Sequence, residues 1–218
     1  MIIAIDGPSG SGKSTLGRML ARALNLLYVD TGSMYRAVAL AVIEAKLNPT
    51  DSEAVVALAN RLDIDLAGDP DSLQVLLAGR DVTELIRSES VTEVSSIVST
   101  IPGVRRAMVA RQREFARRGA VLNGRDIGTV VFPDADIKFF LTASAEERAE
   151  RRFNEDRLTH TDVSLQQTMA EMVERDRRDS TRADSPLKVA DGAIVIDSSG
   201  LSIDEVFEWM MEHVHRHH

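Results

Sequence analysis

The stretch GPSGSGKS, residues 7–14, decides how the rest of this chain is read. It matches the pattern G-x-x-x-x-G-K-[ST] in full. An apolar run, Ile2 to Ile5, precedes it, and an amphipathic pattern of Leu16, Met19, Leu20, Ala23 and Leu24 follows. A strand entering a glycine-rich turn that opens a helix gathers backbone N–H groups around a phosphate at the positive end of that helix. Gly7, Pro8, Ser9, Gly10, Ser11, Gly12, Lys13, Ser14 and Thr15 are therefore the expected ligands of a nucleoside triphosphate. Lys13 reaches for the β- and γ-phosphates, and the Ser14 hydroxyl is the expected ligand for Mg2+.

Composition bounds what surrounds this loop. The 218 residues suffice for one substantial core, and 44% hydrophobic with 28% charged residues is ordinary for a soluble globular protein. The absence of cysteine excludes disulfides and thiolate metal sites. No run approaches the length of a transmembrane helix. Met1 to Asp6 is apolar but short, has no basic stretch and ends on a charge, so it reads as a first strand rather than a signal peptide. A cytoplasmic protein without a membrane partner is the expectation. A net charge of −8 argues against nucleic acid as a partner. Lysine occurs only at Lys13, Lys46, Lys138 and Lys188, and every other Lys/Arg cation is arginine. A GC-rich genome would give that bias, and so would a need for several bidentate phosphate ligands. Both readings stand.

Short apolar runs alternate with helical patterns, which predicts a mostly parallel α/β sheet. Strands are expected at 2–5, 27–29, 120–122, 137–141 and 193–196. Helices are expected at 13–24, 34–46, 52–61, 88–99, 103–118, 145–153, 164–180 and 203–213. Ser144-Ala-Glu-Glu147, Ser164-Leu-Gln-Gln167 and Ser202-Ile-Asp-Glu205 each fit a capping box. Pro102 fits a helix start, and Pro186 lies a few residues past a helix end. Residues 63–82 alternate polar with apolar across Gly68-Asp69-Pro70-Asp71, a pattern that suits a small inserted β-hairpin. The terminal His213-Val-His-Arg-His-His218 reads as a frayed tail.

Among classes that use such a loop, a GTPase would need N-K-x-D, and that tetrapeptide is absent. A motor or transporter ATPase would want adjacent acids after a strand, yet Asp30 is followed by Thr-Gly. A small phosphotransferase with a second substrate and a lid remains. Arg36, in the first turns of helix 34–46, suits an acceptor phosphate or a solvated helix face. The basic helix 103–118 has little aromatic platform for nucleic acid beyond Phe115. Arg175, Arg178, Asp179 and Arg182, spaced i, i+3, i+4, i+7, share one helix face. They suit an ion-pair network or a charged wall facing phosphate and sugar. Arg148, Arg151, Arg152 and Arg157 flank the polar stretch 154–161 between two helices, an arrangement that looks like a lid.

Four stretches occur in order: Gly7 to Ser14, Asp30-Thr-Gly-Ser-Met-Tyr-Arg36, Gly124-Arg-Asp-Ile-Gly-Thr-Val-Val-Phe-Pro133 and Glu174-Arg-Asp-Arg-Arg-Asp-Ser-Thr-Arg182. Together they closely resemble the bacterial cytidylate (CMP/dCMP) kinases, over about residues 2–210. The resemblance includes the inserted segment near 63–86. It implies a three-layer P-loop fold with a mostly parallel five-stranded sheet, an inserted monophosphate-binding segment with a small β-element, and a short helical lid. The implied division is a core of 1–35, 100–147 and 165–218, an insertion of about 36–99 and a lid of about 148–164. The resemblance further implies that Ser96, Arg105 and Asp126 hold the cytosine ring. Arg36, Arg125 and Arg182 would bind the acceptor phosphate, and Arg175 and Asp179 would face the sugar. Thr31 stands where a serine is common and keeps the hydroxyl. Arg148, Arg152 and Arg178 are the implied lid arginines, with Arg152 on ATP.

Elementary chemistry agrees. Cytosine presents an N4 amino donor, which a carboxylate can accept, whereas uracil presents O4, an acceptor. The acceptor phosphate is already anionic near neutral pH, so no strong general base is needed. Lys13, Arg125, Arg178, Arg182 and Mg2+ are expected to act by positioning and charge neutralisation. The expected activity is transfer of phosphate from ATP to CMP or dCMP by a monomer. A small kinase acting on UMP, AMP or shikimate, or a nucleotide-gated binding protein without turnover, are the alternatives.

Overall fold

A computed structural model describes residues 1–157 and 164–217. Its strands are β1 (Ile2–Asp6), β2 (Leu27–Asp30), β3 (Ile64–Ala67), β4 (Gln74–Leu77), β5 (Arg80–Asp81), β6 (Ala120–Gly124), β7 (Ile137–Thr142) and β8 (Ile194–Asp197). Its α-helices are α1 (Lys13–Leu24), α2 (Thr31–Glu44), α3 (Ser52–Arg61), α4 (Glu89–Val98), α5 (Pro102–Phe115), α6 (Ala145–Arg157), α7 (Leu165–Thr181) and α8 (Ile203–Arg216). One sheet has five strands in the order β2-β6-β1-β7-β8, and a second has three in the order β3-β4-β5. The five-stranded, mostly parallel sheet with flanking helices is the α/β arrangement that the alternation of apolar runs predicts. The chain divides into two compact units, Met1–Leu20 with Asn123–His218, and Ala21–Leu122.

In the first unit β1 pairs in parallel with β7, from Ile3↔Ile137 to Asp6↔Phe140, and β7 with β8, from Phe139↔Ile194 to Thr142↔Asp197. Ile3, Ala4 and Ile5 are wholly buried, as a strand covered on both faces requires. Ser164 and Ser202 form full capping boxes with Gln167 and Glu205. The third expected box is only half made. The Glu147 N–H donates to Ser144 Oγ, but the Glu147 carboxylate accepts from Arg151 and from the Gly200 N–H. The Ser144 N–H turns instead to Ser199 Oγ. The expected frayed C-terminus is helical as far as Arg216, with His213 tilted against Trp209 at 4.2 Å between ring centroids. A helix expected at 145–153 runs on to Arg157, and the rest of the polar stretch, 158–163, lies outside the described residues.

In the second unit α2 starts at Thr31, three residues before the apolar pattern suggests. Asp30 is the reason. Its carboxylate caps the helix, accepting the N–H groups of Gly32 and Ser33 at 3.1 and 3.4 Å and the Ser33 hydroxyl at 2.8 Å. The expected hairpin of 63–82 is a three-stranded antiparallel sheet, because β5 adds a short edge to β4 through Leu76↔Asp81 and Leu77↔Arg80. Two residues are too few for alternation to show in sequence. Basic α5 opens with Pro102 in its first turn and closes in a 3-10 turn over Ala116–Arg118.

Candidate active site

The glycine loop joins β1 to α1 within the first unit, and its backbone is made for glycine. Gly7 has φ +148°, and a Cβ there would meet the Leu141 carbonyl oxygen at 2.0 Å. At Gly10, φ +72°, a Cβ would meet the Arg148 carbonyl oxygen at 2.5 Å. The loop therefore packs its backbone against β7 and α6 at van der Waals contact, closer than any side chain permits. Inside the loop, Ser11 Oγ donates to the Pro8 carbonyl at 3.0 Å. Lys13 Nζ spans the same turn, donating to the Pro8 carbonyl at 2.5 Å and to Ser11 Oγ at 3.2 Å. Ser14 is exposed and Thr15 half-buried on the first turn of α1. Asn123, at the end of β6, donates from Nδ2 to Ser14 Oγ at 3.0 Å.

A carboxylate not anticipated from sequence braces this loop. Asp176 of α7 accepts the Ser9 N–H at 3.3 Å and Arg148 Nη1 at 2.5 Å. The same Arg148 donates to the Ser9 carbonyl at 3.0 Å and to the Ala143 carbonyl at 3.1 Å. Arg148, expected in a lid, thus ties α6 to the glycine loop. Asp176 escapes a helical-face reading because it sits one position beyond Arg175, off the stripe shared with Asp179 and Arg182.

The strand β6 delivers Asn123 and Gly124, and Arg125 and Asp126 follow it directly. Next comes a π-helical turn, Ile127–Val131, closed by bonds from the Val130 and Val131 N–H groups to the Asp126 carbonyl. Arg125 Nε donates to Asp179 Oδ2 at 2.8 Å. Arg182 places Nη1 3.7 Å from Asp179 Oδ1 and Nη2 3.7 Å from Asp126 Oδ1, and its Nε donates to the Ser185 carbonyl at 2.5 Å. Burial pushes the Asp179 carboxyl up, but Arg125, Arg175 and Arg182 outweigh it and hold the group below the ordinary aspartate range. The network reading of this face is therefore real, and it gathers Arg125, Asp126, Arg175, Asp179 and Arg182. Arg178 pairs with Glu174 instead, at 3.5 Å and largely in solvent. Arg152 lies half-buried on α6.

The two ends of this unit feel each other electrically. Burial, then Arg125 and Arg175, push the Lys13 ammonium well below the usual lysine range, against the pull of Asp6 and Asp176. Converging cations that repel one another are relieved by an anion placed among them. Asp6, a second residue missed in sequence, is 3% exposed and accepts the N–H groups of Ile127 and Gly128 at 2.8 and 2.7 Å. The signal available was an acid closing an otherwise apolar strand.

In the second unit Arg36 is no solvated helix arginine. Its Nη1 donates to Thr92 Oγ1 at 2.7 Å and to the Ile86 carbonyl at 3.1 Å. Thr92 in turn accepts the Ser96 hydroxyl on its carbonyl at 3.3 Å, so Arg36 and Ser96 share one partner. Arg105 is 3% exposed, donates to the Ser99 carbonyl at 3.1 Å and stacks 5.4 Å above the Tyr35 ring. Thr31, buried, occupies the first position of α2. Thr92 and Tyr35 carried no spacing signal of their own. Among the described residues no group of three His, Cys, Asp or Glu side chains could hold a metal, and no helix is long and apolar enough to cross a membrane.

A parallel sheet, a glycine loop opening a helix, and arginines gathered at the end of a strand define a P-loop kinase. Within that class the chain belongs to the cytidylate kinase family, whose model matches residues 3–216. A cytidylate kinase of Desulforamulus reducens is 55% identical over 206 residues, covering 94% of this chain and 92% of its own. One from Corynebacterium glutamicum is 49% identical over 213 residues, covering 97% and 93%. One from Shewanella denitrificans is 47% identical over 216 residues, covering 98% and 95%. An uncharacterized protein from Eubacterium ventriosum of known crystal structure aligns with a TM-score of 0.56 at 11% identity, over 99% of this chain and 98% of that one. That likeness concerns the fold.

Proposed function

We propose that this chain transfers the γ-phosphoryl group of ATP to the phosphate of CMP or dCMP, releasing ADP and CDP or dCDP. The observation that carries the proposal is the convergence of Arg125 and Arg175 on Lys13, where they add to burial in pushing the lysine ammonium down, a cost that an anion placed among them relieves. Gly7 to Thr15, with Arg152, take ATP. Arg36, Arg125 and Arg182 take the acceptor phosphate, Arg175 and Asp179 the sugar, and Ser96, Arg105 and Asp126 the cytosine, with the Thr31 hydroxyl beside them. Segments of about 36–99 and 148–164 serve as the acceptor-binding insertion and the lid.

Base choice follows from Asp126. An ionised carboxylate only accepts hydrogen bonds, so it suits the cytosine N4 amino group and meets uracil O4 as one acceptor against another. Setting two buried acceptors against each other in place of a hydrogen bond costs on the order of 1–3 kcal/mol, enough for tenfold to hundredfold discrimination. The reaction needs no strong base, because the attacking phosphate oxygen is already anionic. Lys13, Arg125, Arg178 and Arg182 act by placing the two phosphates and neutralising the charge that spreads over the transferring group.

Mg2+ fits the residues present. Ser14 is exposed, and the N–H bond from Asn123 uses one lone pair of its hydroxyl, leaving the other for a cation. Ser14 would hold the ion together with ATP oxygens, where it supplies charge neutralisation on the β- and γ-phosphates. The protein acts as a cytoplasmic monomer on these small molecules, without nucleic acid or membrane. A coupled assay of ADP release with CMP, dCMP, UMP, AMP and shikimate tests the reading; turnover of none of them sinks it.

A further inference from the structure

Asp6 does something that the P-loop does not require of it. It closes β1 immediately before Gly7, yet its two carboxylate oxygens take the N–H groups of Ile127 and Gly128, more than 120 residues further on. Those N–H groups are the first two of the π-helical turn, the kind of unmatched donors that a local Ser, Asn or Asp usually caps. Asp126, the residue in the capping position, makes no such side-chain bond to the turn. Its carboxylate lies beside Arg182 instead. The strand of the donor loop therefore supplies the cap in place of Asp126.

We propose that Asp6 is a positioning residue for the acceptor: its anionic carboxylate fixes the turn that directly follows Arg125 and Asp126. The proposal rests on the reading of those two residues as acceptor ligands. A neutral side chain could hold one N–H group; a carboxylate holds both, with charge-assisted bonds. Keeping the charge there is unfavourable. The Asp6 carboxyl is raised to about 6: burial pushes it up, the Gly128 and Ile127 N–H groups draw it back, Asp126 pushes it up and Lys13 lowers it. Asp126 and Lys13 are the charged groups that face it. Lys138 of β7 packs its stem where a Cβ on Gly128 would lie and gives its ammonium to the Asp191 carbonyl. Once protonated, one Asp6 oxygen becomes a donor and only a weak acceptor for the N–H group it faces.

The test is steady-state kinetics of the full chain between pH 5 and 8.5, varying CMP at saturating ATP and the reverse. Asp6→Asn is expected to raise KM for CMP about tenfold while leaving KM for ATP within about twofold, as loss of one charged hydrogen bond at the acceptor loop predicts. The acid limb of kcat/KM for CMP should reflect two ionisations in the wild type, Asp6 and the CMP phosphate, which itself titrates near pH 6. In Asp6→Asn only the second should remain. Gly128→Ala provides a variant with Asp6 intact. Its Cβ would crowd Ala190 at 3.1 Å, Lys138 at 3.2 Å and Asp6 Oδ2 at 3.4 Å. It should show the same split in KM but keep both ionisations. Equal rises in both KM values, an unchanged KM for CMP, or one acid limb common to wild type and Asp6→Asn would overturn the proposal. Should the wild type prefer another acceptor, the substrate reading fails, and the same split measured with that acceptor still decides the role of Asp6.

Discussion

The glycine loop at residues 7–14, our proposed donor loop, and the proposed acceptor loop at 123–131 each leave a strand of the central sheet and enter a helical turn, yet they are built in opposite ways. The donor loop is built from backbone. Its glycines let the chain pass against the Leu141 and Arg148 carbonyls, and Lys13 and Ser11 close it on the Pro8 carbonyl from within. The acceptor loop is built from side chains that answer to distant partners, Arg125 to Asp179 and the turn itself to Asp6. A phosphate common to every nucleotide can be met by peptide N–H groups, whereas one base among four must be met by a group of one particular polarity.

That contrast can be broken at either end. The largest effect is expected for Lys13→Ala, which should lower kcat about 10³-fold, as loss of a preorganised charge at the transferring group does. Its thermal melt should hold, since burial, Arg125 and Arg175 already work against the Lys13 ammonium in the folded chain. Near-normal turnover in the ADP-release assay would contradict the donor assignment. Next, Asp126→Asn should reduce the preference in kcat/KM for CMP over UMP on the order of 10²-fold, because an amide can donate to O4. An unchanged ratio would remove Asp126 from base recognition.

The third expectation concerns stability against pH. The Asp6 carboxyl rises from 3.8 to about 6 on folding, so the folded state binds its proton more tightly. Stability from this group is full below pH 3.8 and is lost as pH rises through 6, by about 3 kcal/mol. Asp179 works in the opposite sense and below 3.8, since its carboxyl is held down when folded. Denaturant melts between pH 4.5 and 7.5 should therefore show a downward slope with pH that Asp6→Asn abolishes; parallel slopes in the two proteins would contradict it. The smallest effect is expected for Asp176→Asn. Weakening the ion pair to Arg148 should lower stability by about 1–2 kcal/mol and Tm by about 3–8 °C. KM for ATP should rise about threefold and KM for CMP should not, since the Ser9 N–H loses a charged partner only on the donor side. A rise in KM for CMP instead would place the brace elsewhere.

The sequence is legible where the cause is local. Glycine spacing between an apolar run and an amphipathic one locates the donor loop, and α1 and α3 begin and end where their periodicity says. Resemblance to a family carries Arg125, Asp126 and Arg182 to the same cluster that the structure assembles. Distant causes left no trace in spacing. Asp6 reads as the last residue of a strand, and only folding brings it to Ile127 and Gly128. Asp30 reads as a strand-end acid, although its partners are two and three residues ahead, because a cap and a site acid look alike until the helix start is known. Asp176 hides among alternating charges, where seven of the nine positions from Glu174 to Arg182 offer a pairing. The Ser144 box fails for a related reason: Glu147 finds Arg151 and Gly200 to compete for it.

The pairing of Arg125 with Asp179, and of Arg182 with Asp179 and Asp126, has a consequence for what can enter. Arg125 and Arg182 carry built-in counterions, so an anion that enters at these two must displace a carboxylate. Chloride or a phosphodiester offers one diffuse charge and would have to compete with carboxylates already seated at covalent effective concentration. A monoester dianion competes better by charge density, and under the proposed reading its base would also engage Asp126, the carboxylate that Arg182 attends. Occupancy should then depend weakly on ionic strength, because binding exchanges one set of fixed partners for another rather than releasing mobile ions.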